Sequence, residues 1–588
     1  MPDLTFLKQR LGGPRARRVQ KYVGIAVLAL LGLELAYLLV ANVLLGTGVI
    51  PSEVNSAKGV QLEYATAHSW LPGRVQVRGL DLRVEDYNVQ FELRIERAHL
   101  EVSLHDLLAK QFHASHLRAE GLSFRMRHKV HAVGSNAARL AAYPSIRGFA
   151  DPPLYRGPPP PPTTTPEALW SIQIDDVVAK VNELWVLEYR FRGDAEARGS
   201  FLLRPALQVQ VEPAELDVHS GSLQAGTYPV SEHVHGKLSF DMPNLDVRST
   251  EGNALFRAIS AGGELDLAGV ELGFLNLYLP QASALRPSGS SHLRLAAEVK
   301  QGRLTTADTT LEAPKLTLES NGGTLVGKAR VSAVRHDESE PLKLSAHLEQ
   351  ATFGGQCEKP ATVKAVDAAL DLTRVDLTRP IETGAISVAG SVQAPDIACF
   401  DALISKPDAA RYLGGSADAS FQMDRDASKK GNGQAELDLR NGSYQAGDTH
   451  FHSDLHATAR FRLDEDKAAT AYAQGAVSVR LSSADSLLSV AVAPLFQKLI
   501  AGTLGLDELS ATVAFHAQRD AVQLALTSLE SGAVDAKGHL HVPLSGAGAA
   551  QGAVLFSSGP IHVGVKLQGS STAVEPLVSE DWLEPSPG

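Results

Sequence analysis

Apolar and polar residues alternate along most of the chain. From Val89 to Glu96 the apolar side chains Val89, Phe91, Leu93 and Ile95 fall on one side, and Gln90, Glu92, Arg94 and Glu96 fall on the other. A period of two predicts a β-strand with one face buried and the other in water. The signature recurs at Leu238/Phe240/Met242, Leu293/Leu295/Ala297/Val299, Leu437/Leu439, Val477/Val479/Leu481, Val522/Leu524/Leu526 and Ile561/Val563/Val565/Leu567. Gly, Asn and Asp separate these runs at short intervals, which predicts antiparallel hairpins and meanders rather than βαβ crossovers. The phase slips by one residue at Gly79-Leu80, between Val75/Val77 and Leu80/Leu82/Val84. A bulge that bends the sheet is expected there.

Two stretches break the alternation. From Tyr22 to Leu45 the chain is apolar with a single charge, Glu34, and this is long enough for a helix to cross a hydrocarbon core of about 30 Å. It exceeds the apolar stretch of a cleavable signal and no small-residue cleavage site follows, so an uncleaved anchor is expected. Residues 1–21 carry six cations (Lys8, Arg10, Arg15, Arg17, Arg18, Lys21) against Asp3, which places the N-terminus in the cytoplasm and the body across the membrane. The second break, Pro152 to Pro166, is proline-rich and cannot lie inside a sheet; it reads as a surface excursion, with a short helix just before it. The expected organisation is a basic segment (1–21), a membrane helix (22–45), a first β region (51–130), the proline-rich excursion (131–170) and a repeating β region (171–588). Short helices are also expected near Leu272, Cys399 and Pro494, each leading through a Gly into strands.

Composition narrows the chemistry. The 588 residues carry a formal charge of −11 despite the basic lead, so the body is acidic and lacks the clustered cations that nucleic acid requires. With Cys357 and Cys399 as the only cysteines, no Cys-based zinc module or iron-sulfur cluster can be built. In an exported body these two either form one disulfide or remain two buried thiols. Gly322 to Lys328 fits a phosphate loop until Ala329 replaces the magnesium-binding Ser or Thr, and the following residues continue as a strand. Asp424/Asp426/Ser428 hints at a calcium loop, but Lys429 and Ala435 stand where Gly and Glu are needed, leaving a charged hairpin turn. The pairs His233/His235, His450/His452 (with His456) and His539/His541 each share a strand face, and they read as polar-face residues rather than metal ligands. Glu34 lies near mid-membrane at a cost of about 2.5 to 3.5 kcal/mol. It is either a contact to a partner span, helped by Gly32 and Ala36, or a protonated passenger. No catalytic, metal or cofactor site emerges, and no enzyme is expected.

The segments RVQVRGLDLRVED (Arg74 to Asp86), LRIERAHLEVSLHDLLAKQFHASHLRAEGLSFRMR (Leu93 to Arg127), SIQIDDVVAKVNELWVLEYRFRGDAEARGSFLLRP (Ser171 to Pro205) and GHLHVPLSGAGAAQGAVLFSSGPIHVGVKL (Gly538 to Leu567), following one N-terminal span, resemble the AsmA-like family. The resemblance implies an elongated, curved β-sheet groove with an apolar inner face, similar to bridge-like lipid transfer proteins, anchored in the inner membrane with a periplasmic body. It implies acyl lipid as ligand, phospholipid transport or outer-membrane biogenesis as function, and another membrane-spanning or outer-membrane protein as partner. The residues expected to line the groove are Val89, Phe91, Leu93, Ile95, Leu293, Leu295, Val299, Leu437, Leu439, Val522, Leu524, Ile561, Val563 and Val565. The alternative is a non-enzymatic envelope protein of closed β-sandwiches with dry cores.

Overall fold

A computed structural model describes residues 14–583 except 56–58, 86–88, 135–136, 156, 158–170, 205–207, 247–256, 280–284, 321–322, 355–358, 377–381, 401–410, 447–448, 465–472, 482–508, 519–520, 532–533, 544–549 and 569–570. Among these residues the chain is mainly β: 28 strands, nearly all antiparallel, form one sheet that does not close on itself. Two compact units are distinguished, Met1–Gly269 with Glu298–Arg303, and Val270–Ala297 with Leu304–Gly588.

The first unit begins with α1 (Pro14–Gly46), whose Lys21–Gly46 portion is long and apolar enough to cross a membrane, and α2 (Val49–Asn55). The strands β1 (Val60–Glu63) and β2 (Thr66–Leu71) pair end to end with one edge of β3 (Arg74–Glu85). On its other edge β3 pairs with β4 (Val89–Val102). A single-turn α3 (Leu104–Leu108), capped by Ser103, leads to β5 (Gln111–His128) beside β4. After α4 (Ala137–Ala141), the chain enters β6 (Ser171–Val186), which runs parallel to β5. This parallel pair departs from the expected all-antiparallel meander. The chain between β5 and β6 returns to the starting end of β5, so the excursion is a crossover connection. Beyond it β7 (Tyr189–Arg204), β8 (Gln208–Ala225), β10 (His233–Asp246) and β11 (Ser260–Glu271) follow in antiparallel order, with β9 (Tyr228–Ser231) pairing to the end of β8.

In the second unit a 3-10 turn (Leu272–Leu277) precedes β12 (Arg286–Ser288) and β13 (Ser290–Lys300). From β14 (Arg303–Ser320) onward each described strand pairs antiparallel with the next. These are β15 (Gly323–Arg335), β16 (Leu342–Gly354), β17 (Ala361–Arg374), β18 (Glu382–Ala394), β19 (Arg411–Arg425), β20 (Lys430–Ala446) and β21 (Thr449–Asp464). They continue through β22 (Ala473–Leu481), β23 (Leu509–Ala517), β24 (Ala521–Ser531), β25 (Val534–Pro543), β26 (Gln551–Ser558), β27 (Ile561–Gln568) and β28 (Ser571–Pro576).

The expected phase slip is real. Gly79 adopts φ +65°, a left-handed conformation that favours glycine, and the inward positions change parity from Val75/Val77 to Leu80/Leu82 across it. Of the expected short helices, α4 and the Leu272–Leu277 turn form, and Cys399 lies in a 3-10 turn (Ile397–Phe400). The one expected near Pro494 lies outside the described residues.

The excursion is not a solvent loop where it is described. Leu140, Tyr143, Ile146, Pro144 and Pro153 are buried, because residues 137–155 lie against the polar side of the sheet. The expectation that Gln90 and Glu92 face water is therefore corrected: both are buried, Glu92 completely. Alternation separates two faces but does not say what covers either.

Candidate functional site

The apolar side of the first unit starts at α1. Half-buried positions Glu34, Tyr37, Leu38, Ala41, Asn42 and Leu45 recur at helical spacing, forming one stripe along α1. Asn42 Nδ2 donates to the Ser69 carbonyl at 2.9 Å, and the Ser69 N–H donates back to Asn42 Oδ1 at 2.8 Å. Tyr64 Oη donates to the Leu45 carbonyl at 2.7 Å. Leu45 and Tyr64 then pack on a cluster of Ala67, Val77, Ile95, Ala98, Ala119 and Ala179, with Leu80, Leu93 and Leu122 against it. The helix surface thus continues directly into the sheet's apolar side.

Cross-strand pairing carries that side onward within the unit. Phe91 lies opposite Val84 and Met126, and Leu93 opposite Leu82 and Phe124. In the second unit Leu437 lies opposite Ala419 and Ala457, and Leu439 opposite Ala417 and Leu455. Leu524 faces Phe515 and Leu540, and Val522 faces Ala517 and Val542. Val563 sits between Phe556 and Pro576, and Val565 between Val554 and Val574. Several aromatic rings have a glycine as cross-strand neighbour: a Cβ at Gly433 would overlap the Phe461 ring, and one at Gly390 would come within 2.8 Å of Phe421. Such glycines let a large ring lie low across the sheet, covering backbone without a second layer.

Exposure separates this surface from a packed core. Leu437, Leu524, Val522, Val563, Leu293, Leu295, Val299, Val89, Phe91 and Leu93 are only half-buried. Ile95, Leu439 and Val565 are buried, and Ile561 is exposed. Among the described residues alanine is the commonest buried apolar side chain, and the largest fully buried side chains, Arg127, Ile146 and Glu92, belong to residues 137–155 or to the strands they cover. A closed sandwich would bury more of the large aliphatic residues in these rows.

That covered region holds functional-looking residues which the alternation did not single out. Arg127 donates to Gln90 Oε1 at 2.8 Å and to the carbonyls of Pro144 and Ala150 at 2.9 and 3.0 Å, and it pairs with Asp151. Arg83 donates to the Arg147 carbonyl and pairs with Glu63, while Arg139 pairs with Glu188 at 2.9 Å. Glu183 accepts from Ser123 at 2.8 Å and pairs with Arg125 and Arg190, whose guanidinium stacks 4.2 Å from the Trp185 ring centre. Burial alone would raise the Glu183 carboxyl, but the hydrogen bonds from Arg190, Ser123 and Arg125 outweigh it and pull the group down to about 2. Burial pushes the Tyr143 hydroxyl up to about 12. These carboxylates are paired with arginines, and the pairs that reach residues 139, 147 and 151 clamp the crossover to the sheet. The available signal was the alternating arginines Arg125/Arg127 and Arg190/Arg192, on the two strands that flank β6.

The remaining candidates resolve individually. Gly323 to Arg335 is strand, so no helix follows Lys328. Asp426 to Lys429 forms the tight turn between β19 and β20, as expected of a charged hairpin, with Asp426 Oδ1 accepting from the Lys430 N–H at 3.0 Å. Among the described residues one trio, Glu436, Asp438 and His456, brings three potential metal-ligand atoms within 4.8 Å. It lies on the exposed side of β20 and β21, where His456 Nδ1 is already 2.6 Å from Asp438 Oδ1. Glu34 shares the helix stripe that faces the sheet, whereas Gly32 and Ala36 are exposed. At about 100° per residue the glycine and alanine straddle the opposite side of α1, so the three do not form one patch. Cys357 lies outside the described residues, as does the Cys399 side chain.

Comparison of the chain with family models, with curated proteins and with solved structures finds no match.

Proposed function

We propose that this is a non-enzymatic, single-pass membrane protein whose exported body takes up the acyl chains of phospholipid along the uncovered apolar side of its sheet. On this reading the anchor sits in the inner membrane, the body is periplasmic, and the protein assists phospholipid transport between inner and outer membranes or outer-membrane biogenesis, together with another membrane-spanning or outer-membrane protein. One observation carries the reading: large aliphatic residues paired strand to strand remain only half-buried, as in the Leu437, Leu524 and Val563 rows. An uncovered apolar row of this kind costs solvation that acyl chains would relieve, and a lipid headgroup can remain in water at the sheet's rim. No other cover for these rows is present among the described residues.

In-cell photocrosslinking tests it. A photoreactive residue at Phe91, Leu295, Leu437 or Val563 should capture phospholipid, while one at Arg294, Asp438 or Arg460 should not. Leu437→Asp provides the second arm, since an aspartate on an open face stays hydrated and the protein should fold but lose lipid capture. In a closed core the same change would cost several kcal/mol. Unfolding of that variant together with absence of lipid at every inward position would reject lipid binding in favour of a dry structural role.

A further inference from the structure

The turn between β2 and β3, Trp70 to Gly73, lies back along the anchor helix. Its Gly73 N–H donates to Tyr37 Oη at 3.1 Å. A 30 Å hydrocarbon core takes about 20 helical residues. Wherever those fall between Tyr22 and Leu45, the Cα of Tyr37 lies roughly 6 to 12 Å inside the far boundary at 1.5 Å per residue. Helical side chains lean toward the N-terminus, so the hydroxyl that holds Gly73 is no shallower. A turn of a water-soluble sheet is thereby fixed at the depth of the outer part of the acyl chains.

The chemistry of the turn suits that depth. Trp70 is 73% exposed and Leu71 46% exposed, the former among the most exposed large apolar residues outside the helix. Backbone groups in hydrocarbon must be satisfied internally, and several of those at the turn have partners. Ser69 Oγ, itself buried, is hydrogen-bonded to the carbonyls of Leu71 at 2.9 Å and Arg74 at 2.8 Å. The Gly73 carbonyl accepts from the Val102 N–H at 2.7 Å. Pro72 has no N–H to satisfy. The first charge on the returning strand, Arg74, is paired with Glu101 at 3.1 Å, and long cationic side chains reach toward headgroups from such a position.

We propose that the Trp70–Gly73 turn is a membrane-inserted wedge, embedded in the far leaflet beside the helix that spans it. Its occupant is the bilayer itself, and the inference deepens the lipid reading by placing the beginning of the apolar side, at Leu45, Tyr64 and Val75, within reach of leaflet acyl chains.

Depth-resolved quenching tests it on the full-length protein in phosphatidylcholine vesicles, with Trp170, Trp185 and Trp582 replaced by phenylalanine so that Trp70 alone emits. Lipids brominated high on the acyl chain should remove most of the Trp70 emission and aqueous iodide little of it. Strong iodide quenching with no effect of the brominated lipid would overturn the wedge. A parallel protein carrying Leu33→Trp and Trp70→Phe reports the helix. If Leu33→Trp is quenched by deeply brominated lipid while Trp70 is not, the wedge fails and the anchor stands; if neither is quenched, both fail. Because Trp185 stacks on Arg190, a misfolded triple variant is replaced by an environment-sensitive fluorophore at Leu71→Cys, with Cys357 and Cys399 changed to serine. A blue-shifted, iodide-protected signal supports insertion, and a water-like signal overturns it.

Discussion

On β3 to β6 of the first unit, residues 137–155 cover part of the side of the sheet bearing charged residues, and Arg127 and Glu92 are buried in a network of arginines, carboxylates and backbone carbonyls. On β19 to β22 of the second unit, the charged side presents Glu436, Arg460 and His456 to solvent. The strand patterns of the two regions are the same. The difference lies in a crossover connection that must travel back along β5 and therefore has to cross one side of the sheet. It crosses the polar side and leaves the apolar side of its own region half-buried, as the apolar side of the second region is. An economical core would have folded the connection onto the leucines, so covering the charged side at the cost of a desolvated ion network favours an apolar surface that remains available.

Substitutions in the two regions should separate sharply. Arg127→Ala strands Gln90, Asp151 and two carbonyls without their donor, and removing one partner from a buried ionic network costs about 3–5 kcal/mol. Denaturant titration followed through the nearby Trp185 should show that loss, with proteolytic cutting in residues 137–155 at low protease. Arg460→Ala, on an exposed strand position, should change stability by no more than about 0.5 kcal/mol. Equal, small effects at both sites would mean that the crossover is not clamped.

Acid should act next most strongly, and again on the covered region. Glu183 titrates at about 2 in the folded protein against a usual 4.5, so its folded value is depressed. Its stabilisation is complete above the unfolded value and is lost as pH falls from about 4.5 through about 2. The difference corresponds to at most about 3 kcal/mol. Denaturation midpoints measured across that window should drop for the natural protein and drop less for Glu183→Gln. An identical acid profile in the two proteins would remove Glu183 from the clamp.

The strands, the long apolar helix and the bulge at Gly79 were legible because period, length and phase are local properties. So was the rejection of a phosphate loop, since the residues after Lys328 alternate. The covering of Glu92 was not legible, because a strand's polar positions read alike in water and beneath a crossover; only tertiary contact between Arg127 and the Pro144 and Ala150 carbonyls distinguishes them. The parallel pairing of β5 with β6 was hidden for a related reason: the length of the proline-rich connection permitted either direction of return. The stripe on α1 was half-visible. Glu34 stood out by its charge, but Tyr37 and Asn42, which tie the helix to β2 and the turn after it, were lost in a run read only for hydropathy.

The smallest expected effect compares two histidines, one in each unit. His113 is held between Asp175 (Nε2, 2.6 Å) and Asp106 (Nδ1, 2.7 Å), and hydrogen bonds first to Asp175 and then to Asp106 raise its pKa. His347 is raised as well, chiefly by its hydrogen bond to Asp367, but it stands on an exposed strand position. A folded value above the unfolded one means that stabilisation is present in full below the unfolded value and disappears as pH rises through the folded one. Both histidines therefore favour the folded state on the acidic side of neutrality and lose that contribution on the alkaline side. The magnitudes should differ, because a cationic ring shared by two carboxylates and partly shielded from water is screened less than one exposed pair. His113→Gln should flatten the loss of stability across neutral pH and should do so in high salt too, by freeing α3 from β5. His347→Gln should have a smaller effect that vanishes in high salt. Stability measured against pH at two ionic strengths checks the pair; equal salt sensitivity would show that the Asp106–His113–Asp175 bridge is as solvated as the open face of the second unit.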